Sequence, residues 1–130
     1  MKEQLISFET AKLAKEKGFF IGYRLYNETG KIWARHFIGD QERKLYSAST
    51  QSLLQKWIRE THRIHIEIAV VGVTCKNGIA FKSFGWQLYY MDTLKMYQKK
   101  EISVVEKTYE EALEKALFES LKLIKSKNEN

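Results

Sequence analysis

The feature that most constrains the fold is an alternating apolar run that leads into a two-residue turn. Apolar side chains recur at every second position from Ile64 to Val70, and the pair Asn77-Gly78 follows. A period of two is typical of a β-strand with one buried face. Asn-Gly is the strongest short signal for a tight hairpin. The sequence therefore predicts a hairpin that returns through residues 79–91.

A plain two-residue turn does not align the apolar residues of this hairpin. With residues 77–78 as the turn, Ile68 lies opposite Gln87, and the two apolar sets fall on different faces. One extra residue in either strand repairs the mismatch. We therefore predict a β-bulge near residues 82–83 or at Gly72. The bulge would place on the face of Ile66 and Ile68 the side chains of Phe84, Trp86 and Leu88.

Capping residues predict three helices. Ser7 is suited to cap a helix over residues 8–17, with Gly18 as the stop. Ser49 or Thr50 caps a second helix, whose apolar stripe consists of Leu53, Leu54, Trp57 and Ile58. Residues 108–111 fit a capping box for the third. Its stripe is the longest in the chain and contains Ala112, Leu113, Ala116, Leu117, Leu121 and Ile124.

Residues 19–26 and 31–38 predict a first hairpin, because they are rich in aromatic and β-branched side chains around a turn at residues 27–30. Symmetric closure makes three cross-strand pairs on one face: Phe20 with Phe37, Arg24 with Trp33, and Tyr26 with Lys31. Both faces are apolar enough to need cover. Either one face binds a partner, or the chain's own helices cover both. The candidate binding residues are Phe20, Arg24, Tyr26, Lys31, Trp33, Arg35 and Phe37.

A second candidate surface lies on the middle helix. Lys56, Arg59 and Arg63 fall opposite Leu53 and Trp57 on a helical wheel. Such a stripe either contacts phosphates of a nucleic acid or is a solvated outer face. The formal charge of +6 is concentrated nearby, since residues 31–65 hold seven basic and three acidic side chains.

Together these elements predict an α+β fold in the order αββαββ(β)α. An antiparallel sheet of four or five strands, built from two hairpins, carries the three helices. Residues 1–130 form one domain, because a chain of this length with 44% apolar residues closes one core. The tail frays from about residue 125. The sequence leaves the structure of residues 92–107 open.

The residue types argue against catalysis, metal binding and cofactor binding. Cys75 with His62 and His65 leaves the four-ligand set of a structural zinc site incomplete. Neither glycine-rich phosphate-binding motif occurs among the seven glycines. No apolar run reaches the roughly 20 residues of a membrane helix, and no secretory signal opens the chain. We therefore expect a cytoplasmic, non-enzymatic protein without cofactors.

A family resemblance lies in residues 6–18 (ISFETAKLAKEKG), 50–60 (TQSLLQKWIRE) and 109–114 (YEEALE), and in His62 with the following 64–66 (IHI). These segments resemble a set of small uncharacterised proteins encoded by bacteriophages and prophages of gut bacteria. Together they cover about a quarter of the chain, in the same order. The resemblance implies a phage-like origin and carries no activity and no functional residues.

The functional expectation is a protein-binding module that contacts a protein partner or a second copy of itself. The alternative is a nucleic-acid-binding protein that uses the basic helix stripe and the aromatic face of the first hairpin. The two-faced first hairpin motivates the former, and the positive charge motivates the latter.

Overall fold

The computed structural model describes residues 4–21, 24–33, 45–91, 97–101 and 106–125. In chain order the elements are α1 (Phe8–Glu16), β1 (Leu25–Tyr26), β2 (Ile32–Trp33), β3 (Tyr46–Ser47), α2 (Gln51–His62), β4 (His65–Lys76), β5 (Ile79–Met91), β6 (Tyr97–Glu101) and α3 (Tyr109–Leu123). The α+β class and the three predicted helices are confirmed.

Each helix begins at a predicted capping residue. The hydroxyl oxygens of Ser7, Thr50 and Thr108 each accept a hydrogen bond from a backbone amide three residues further on. These bonds satisfy amides that the first turn of a helix leaves without an intrahelical partner. The middle helix ends at Arg63, which adopts the left-handed conformation with φ 58°.

The described strands lie in two antiparallel sheets of three strands each, where the sequence suggested a single sheet. The first sheet has the order β2-β1-β3 and the second has the order β4-β5-β6. Strand β3 was not predicted, because two residues are too few to show an alternating pattern. Strand β6 lies in the segment that the sequence left open, and residues 102–105 of that segment lie outside the described residues.

The predicted register of the first hairpin is wrong by one residue. Tyr26 lies opposite Ile32 instead of Lys31, and Leu25 lies opposite Trp33. The cause is the loop: the amide of Asn27 donates to the carbonyl of Lys31, which leaves three loop residues ending at Gly30. Gly30 has φ 87°, the left-handed conformation that completes such a three-residue loop. Residues 34–38 lie outside the described part of the chain.

The predicted bulge of the second hairpin is confirmed. Its register shifts between Val70 and Gly72, so that Val71 is the extra residue. As a result, Ile66 lies opposite Leu88 and Ile68 lies opposite Trp86. Residues 77 and 78 form the turn with φ 53° and 77°, the paired positive values of the preferred hairpin turn.

Helix α3 packs across both long strands and both other helices. Its predicted apolar stripe is buried in full, and Ala116, Leu117 and Leu121 are completely inaccessible. The stripe meets Trp86 and Leu88 on β5 within one apolar cluster. The core therefore depends on the long hairpin and α3 together.

Replacing Leu117 with alanine should lower the free energy of unfolding by about 2–5 kcal/mol, because the side chain is fully buried in a core that relaxes only in part. Leu123→Ala, on the same helix at 37% exposure, is the control and should cost less than about 1 kcal/mol. Urea unfolding measures both. A loss of less than about 1 kcal/mol for Leu117→Ala as well would show that α3 is peripheral to the core.

His62 gives folding stability a dependence on pH. Its Nε2 atom is buried and has no hydrogen-bond partner, and its ring packs edge-on against Trp57 at 4.8 Å between centroids. Burial lowers the pKa of His62 below its ordinary value of 6.5. The unfolded chain therefore takes up the proton first as the pH falls, which favours unfolding.

Stability should accordingly fall as the pH drops below about 6.5. His62→Phe keeps an aromatic ring against Trp57 and removes the titration. Urea unfolding at pH 7.5 and pH 5.5 should show a larger loss for the natural chain than for this variant. The same loss in both would mean that His62 takes no part in the pH dependence.

Candidate interaction surface

The second hairpin extends beyond the body of the protein. Every residue from 69 to 82 is exposed, whereas Ile66, Trp86 and Leu88 at its base are buried. We call residues 69–82 the arm. It forms because strands rich in β-branched residues are joined by a turn whose backbone matches their twist.

The arm carries most of the large apolar side chains that the described residues expose. Five of the nine are on it, each between 49% and 60% exposed: Val70, Val71, Val73, Ile79 and Phe81. Single exposed apolar residues are ordinary on a soluble protein. A concentration of them on one element is typical of an interaction site.

The bulge makes both faces of the arm apolar. On the face that continues the core, Val70 lies opposite Phe84, and beyond the bulge Val73 lies opposite Lys82. Residues directly opposite in an antiparallel pair share a face. The other face therefore carries Phe81 opposite Thr74, together with Val71.

Val71 packs across the neighbouring strand onto Gly85. A β-carbon placed on Gly85 would lie 2.9 Å from Cγ1 of Val71, closer than such atoms approach. Gly85 thus leaves the space into which the bulged residue fits. Glycine in a strand interior often marks a bulge or a close approach of this kind.

The charge of the arm is purely basic. Lys76 and Lys82 are the charged residues between Ile68 and Met91, and the segment contains no carboxylate. Both lysines are exposed. Glu67, also exposed, lies just below the arm on the same strand.

Strand β4 lies at one edge of its sheet. The strand order is β4-β5-β6, and no described strand pairs with the outer side of β4. An edge strand presents a row of backbone donors and acceptors that another strand can pair with. The sequence of β4 contains no proline that would block such pairing.

The predicted basic stripe is on the surface, as expected. Lys56 and Arg59 are exposed on α2, and Arg63 is exposed at its end. The apolar stripe of that helix differs from the prediction at Leu53, which is 40% exposed, while Gln51 is buried in its place. The Gln51 side chain is held by a hydrogen bond to the carbonyl of Glu110.

One candidate of the first hairpin, Tyr26, does not lie on a binding face. Tyr26 is buried and its hydroxyl donates to the carbonyl of Ile6, so it belongs to the core instead of a binding surface. Burial, reinforced by the charge of Glu114, raises the pKa of Tyr26. The one-residue register shift has moved it off the face of Lys31.

Of the other candidates of this hairpin, the structure describes the side chains of Phe20, Arg24 and Lys31. Arg24 and Lys31 are exposed, and Phe20 is partly covered, with Nζ of Lys15 5.2 Å from its ring centroid. Trp33 has its backbone in β2, and its side chain lies outside the described residues, as do Arg35 and Phe37.

A cavity of about 320 Å³ lies between α1 and α3. Its polar centre is the carboxylate of Glu114. The carboxylate accepts hydrogen bonds from the backbone amide of Ser7 at 2.9 Å, the hydroxyl of Thr10 at 2.5 Å and the side-chain amide of Gln51 at 3.1 Å. The carboxylate thus ties the starts of α1 and α2 to α3. These bonds give it a structural role.

Within the described ranges, no three His, Cys, Asp or Glu side chains are grouped closely enough to hold a metal ion. His62 and His65, which the sequence placed three apart, are therefore not brought together with Cys75. None of the described helices is both long and apolar enough to cross a membrane.

Comparison with known proteins identifies no relative: no family model, curated protein or solved structure matches this chain. The resemblance to phage proteins stays a prediction. The function has to be inferred from the chain's own residues, and the arm is the feature among them that sequence reasoning missed. The sequence feature that could have predicted the arm is an apolar hairpin that is longer than one small core can cover.

The fit of Val71 against Gly85 can be tested with two matched substitutions. Gly85→Ala should lower the free energy of unfolding by about 1–3 kcal/mol, because the added methyl group collides with Val71. Gly72→Ala, in the bulge itself, meets open space and should change it by less than about 0.5 kcal/mol. Urea unfolding that gives both variants the same stability would contradict the packing.

Proposed function

We propose that this chain is a non-enzymatic, cytoplasmic protein-binding module of phage-like origin, and that the arm is its contact surface. The observation that carries the proposal is the concentration of half-exposed Val, Ile and Phe side chains on residues 69–82. None of these side chains belongs to the buried core cluster. Their burial against another protein removes apolar surface from water.

Burial of these side chains supplies part of the free energy of binding. Full burial of one such side chain is worth about 1.5–3 kcal/mol, so each half-exposed side chain has about 1 kcal/mol still to gain. Five of them on one element give several kcal/mol before the cost of association. Phe81 is the natural anchor, because aromatic side chains are enriched among the residues that dominate interfaces.

The alternative is nucleic-acid binding, and one observation favours it. The arm has no carboxylate and carries Lys76 and Lys82, and α2 presents Lys56, Arg59 and Arg63. Lysine and arginine side chains release counterions from a phosphate backbone. The arm, however, presents more apolar side chains than charges, which suits a protein surface better.

A displayed random-peptide library tests the proposal. The purified chain is immobilised at low density so that copies stay apart. We expect apolar peptides to be enriched on the natural chain and lost on Val73→Ser/Phe81→Ser. The matched control Ile32→Ser/Leu123→Ser removes two exposed apolar side chains elsewhere and should retain the enrichment.

Equal enrichment on all three proteins would refute the arm as the contact surface. Gel shifts with single- and double-stranded oligonucleotides at several salt concentrations test the alternative in parallel. Salt-dependent binding that Lys76→Ala and Lys82→Ala each weaken would establish nucleic acid as the ligand in place of protein.

A further inference from the structure

The outer edge of β4 has a side-chain pattern that the bulge divides in two. Below Val71, even-numbered residues such as Ile68 and Val70 share the core face. Above it, the odd-numbered residues Val73 and Cys75 lie on that face, opposite Lys82 and Ala80. The alternation is therefore reversed across the bulge.

This reversal restricts how two copies of β4 can pair. Two identical antiparallel strands are related by a two-fold axis perpendicular to their sheet, so facing residues must lie on the same face. An even-numbered residue before the bulge must therefore face an odd-numbered residue after it in the other copy, and an odd-numbered residue must face an even-numbered one. Placing the axis between Val71 and Gly72 satisfies this condition along the whole overlap.

The charges select the same register. With the axis between Val71 and Gly72, Glu67 of each copy lies opposite Lys76 of the other, and both are on the face away from the core. Val70 then lies opposite Val73 on the core face, and Ala69 lies opposite Thr74. Shifting the pairing by two residues either way separates Glu67 from Lys76.

We propose that β4 pairs with β4 of a second copy of this chain in that register, joining two three-stranded sheets into one continuous antiparallel sheet. The inference rests on the proposed function, because it names the protein that the arm binds. Pairing by strand addition supplies main-chain hydrogen bonds, while the side chains set the register. The helices of both copies lie on one side of the joined sheet.

The proposed pairing accounts for the character of the edge. A long exposed edge strand with apolar side chains promotes unspecific pairing unless something limits it. Here the bulge limits pairing to registers in which an even-numbered residue faces an odd-numbered one. The two symmetric Glu67–Lys76 contacts select one of these registers. Exposed ion pairs add little affinity, and their effect is on specificity.

Charge reversal tests the register. Glu67→Lys alone and Lys76→Glu alone each place like charges opposite one another twice, and should weaken the dimer about 10-fold. The double variant Glu67→Lys/Lys76→Glu restores opposite charges and should return the dissociation constant to near the natural value. Sedimentation equilibrium of the full-length chain measures all four proteins. A double variant as weak as the single variants would overturn the register.

Disulfide trapping tests it independently. In a Cys75→Ala background, Ala69→Cys/Thr74→Cys places two thiols opposite one another across the axis, within the Cα separation that a disulfide needs. Mild oxidation should convert it to a covalent dimer. Ala69→Cys/Val73→Cys, whose thiols lie on different faces, is the control and should not cross-link. Cross-linking of the control but not of the first pair would overturn the proposal.

The two proposals fail differently. A natural chain that sediments as a monomer at all concentrations, while Val73→Ser/Phe81→Ser still abolishes peptide enrichment, overturns the second copy as the partner and leaves the arm as a protein-binding surface. If Val73→Ser/Phe81→Ser retains both dimerisation and peptide enrichment, both proposals are overturned.

Discussion

The structure depends on one extra residue in β4. Without Val71, the turn at residues 77–78 would bring the apolar side chains of the two long strands onto different faces. With it, Ile66 and Ile68 lie opposite Leu88 and Trp86, and α3 has a continuous apolar surface to cover. The bulge has a cost as well as a benefit, since it interrupts the ladder and requires the space above Gly85.

The same residue links fold to surface. Because the alternation of β4 reverses at the bulge, apolar side chains beyond it appear on both faces, where α3 no longer reaches. The body needs the hairpin only as far as Phe84, whose backbone pairs with Glu106. No residue of the arm belongs to the buried core cluster, and its exposed apolar side chains motivate the proposed partner.

Much of the fold could be predicted because its signals are local. Ser7, Thr50 and Thr108 cap their helices through contacts three residues away, and the bulge followed from counting residues between a turn and an apolar pattern. The register of the first hairpin could not be predicted in this way. A loop of three or four residues fits the same composition, and only the left-handed conformation of Gly30 decides between them.

The candidate site was harder to predict because exposure is a property of the whole molecule. Val73 and Phe81 have the composition of buried strand residues, and nothing nearby in the sequence shows that the core ends before them. The prediction for Tyr26 was wrong in the opposite sense: it was a candidate binding residue, yet its hydroxyl donates to the carbonyl of Ile6 inside the protein. Both outcomes depend on contacts between distant segments.

Amide hydrogen exchange at rising protein concentration tests the central claim, that the β4 edge of the arm pairs with a second copy. The amides of β4 that do not bond to β5 should exchange rapidly in dilute solution and become protected as the concentration increases. Exchange of the amides inside α3, which are bonded within the helix, should change little. Rapid exchange along the outer edge of β4 at every concentration, in a sample shown to be dimeric, would contradict the account.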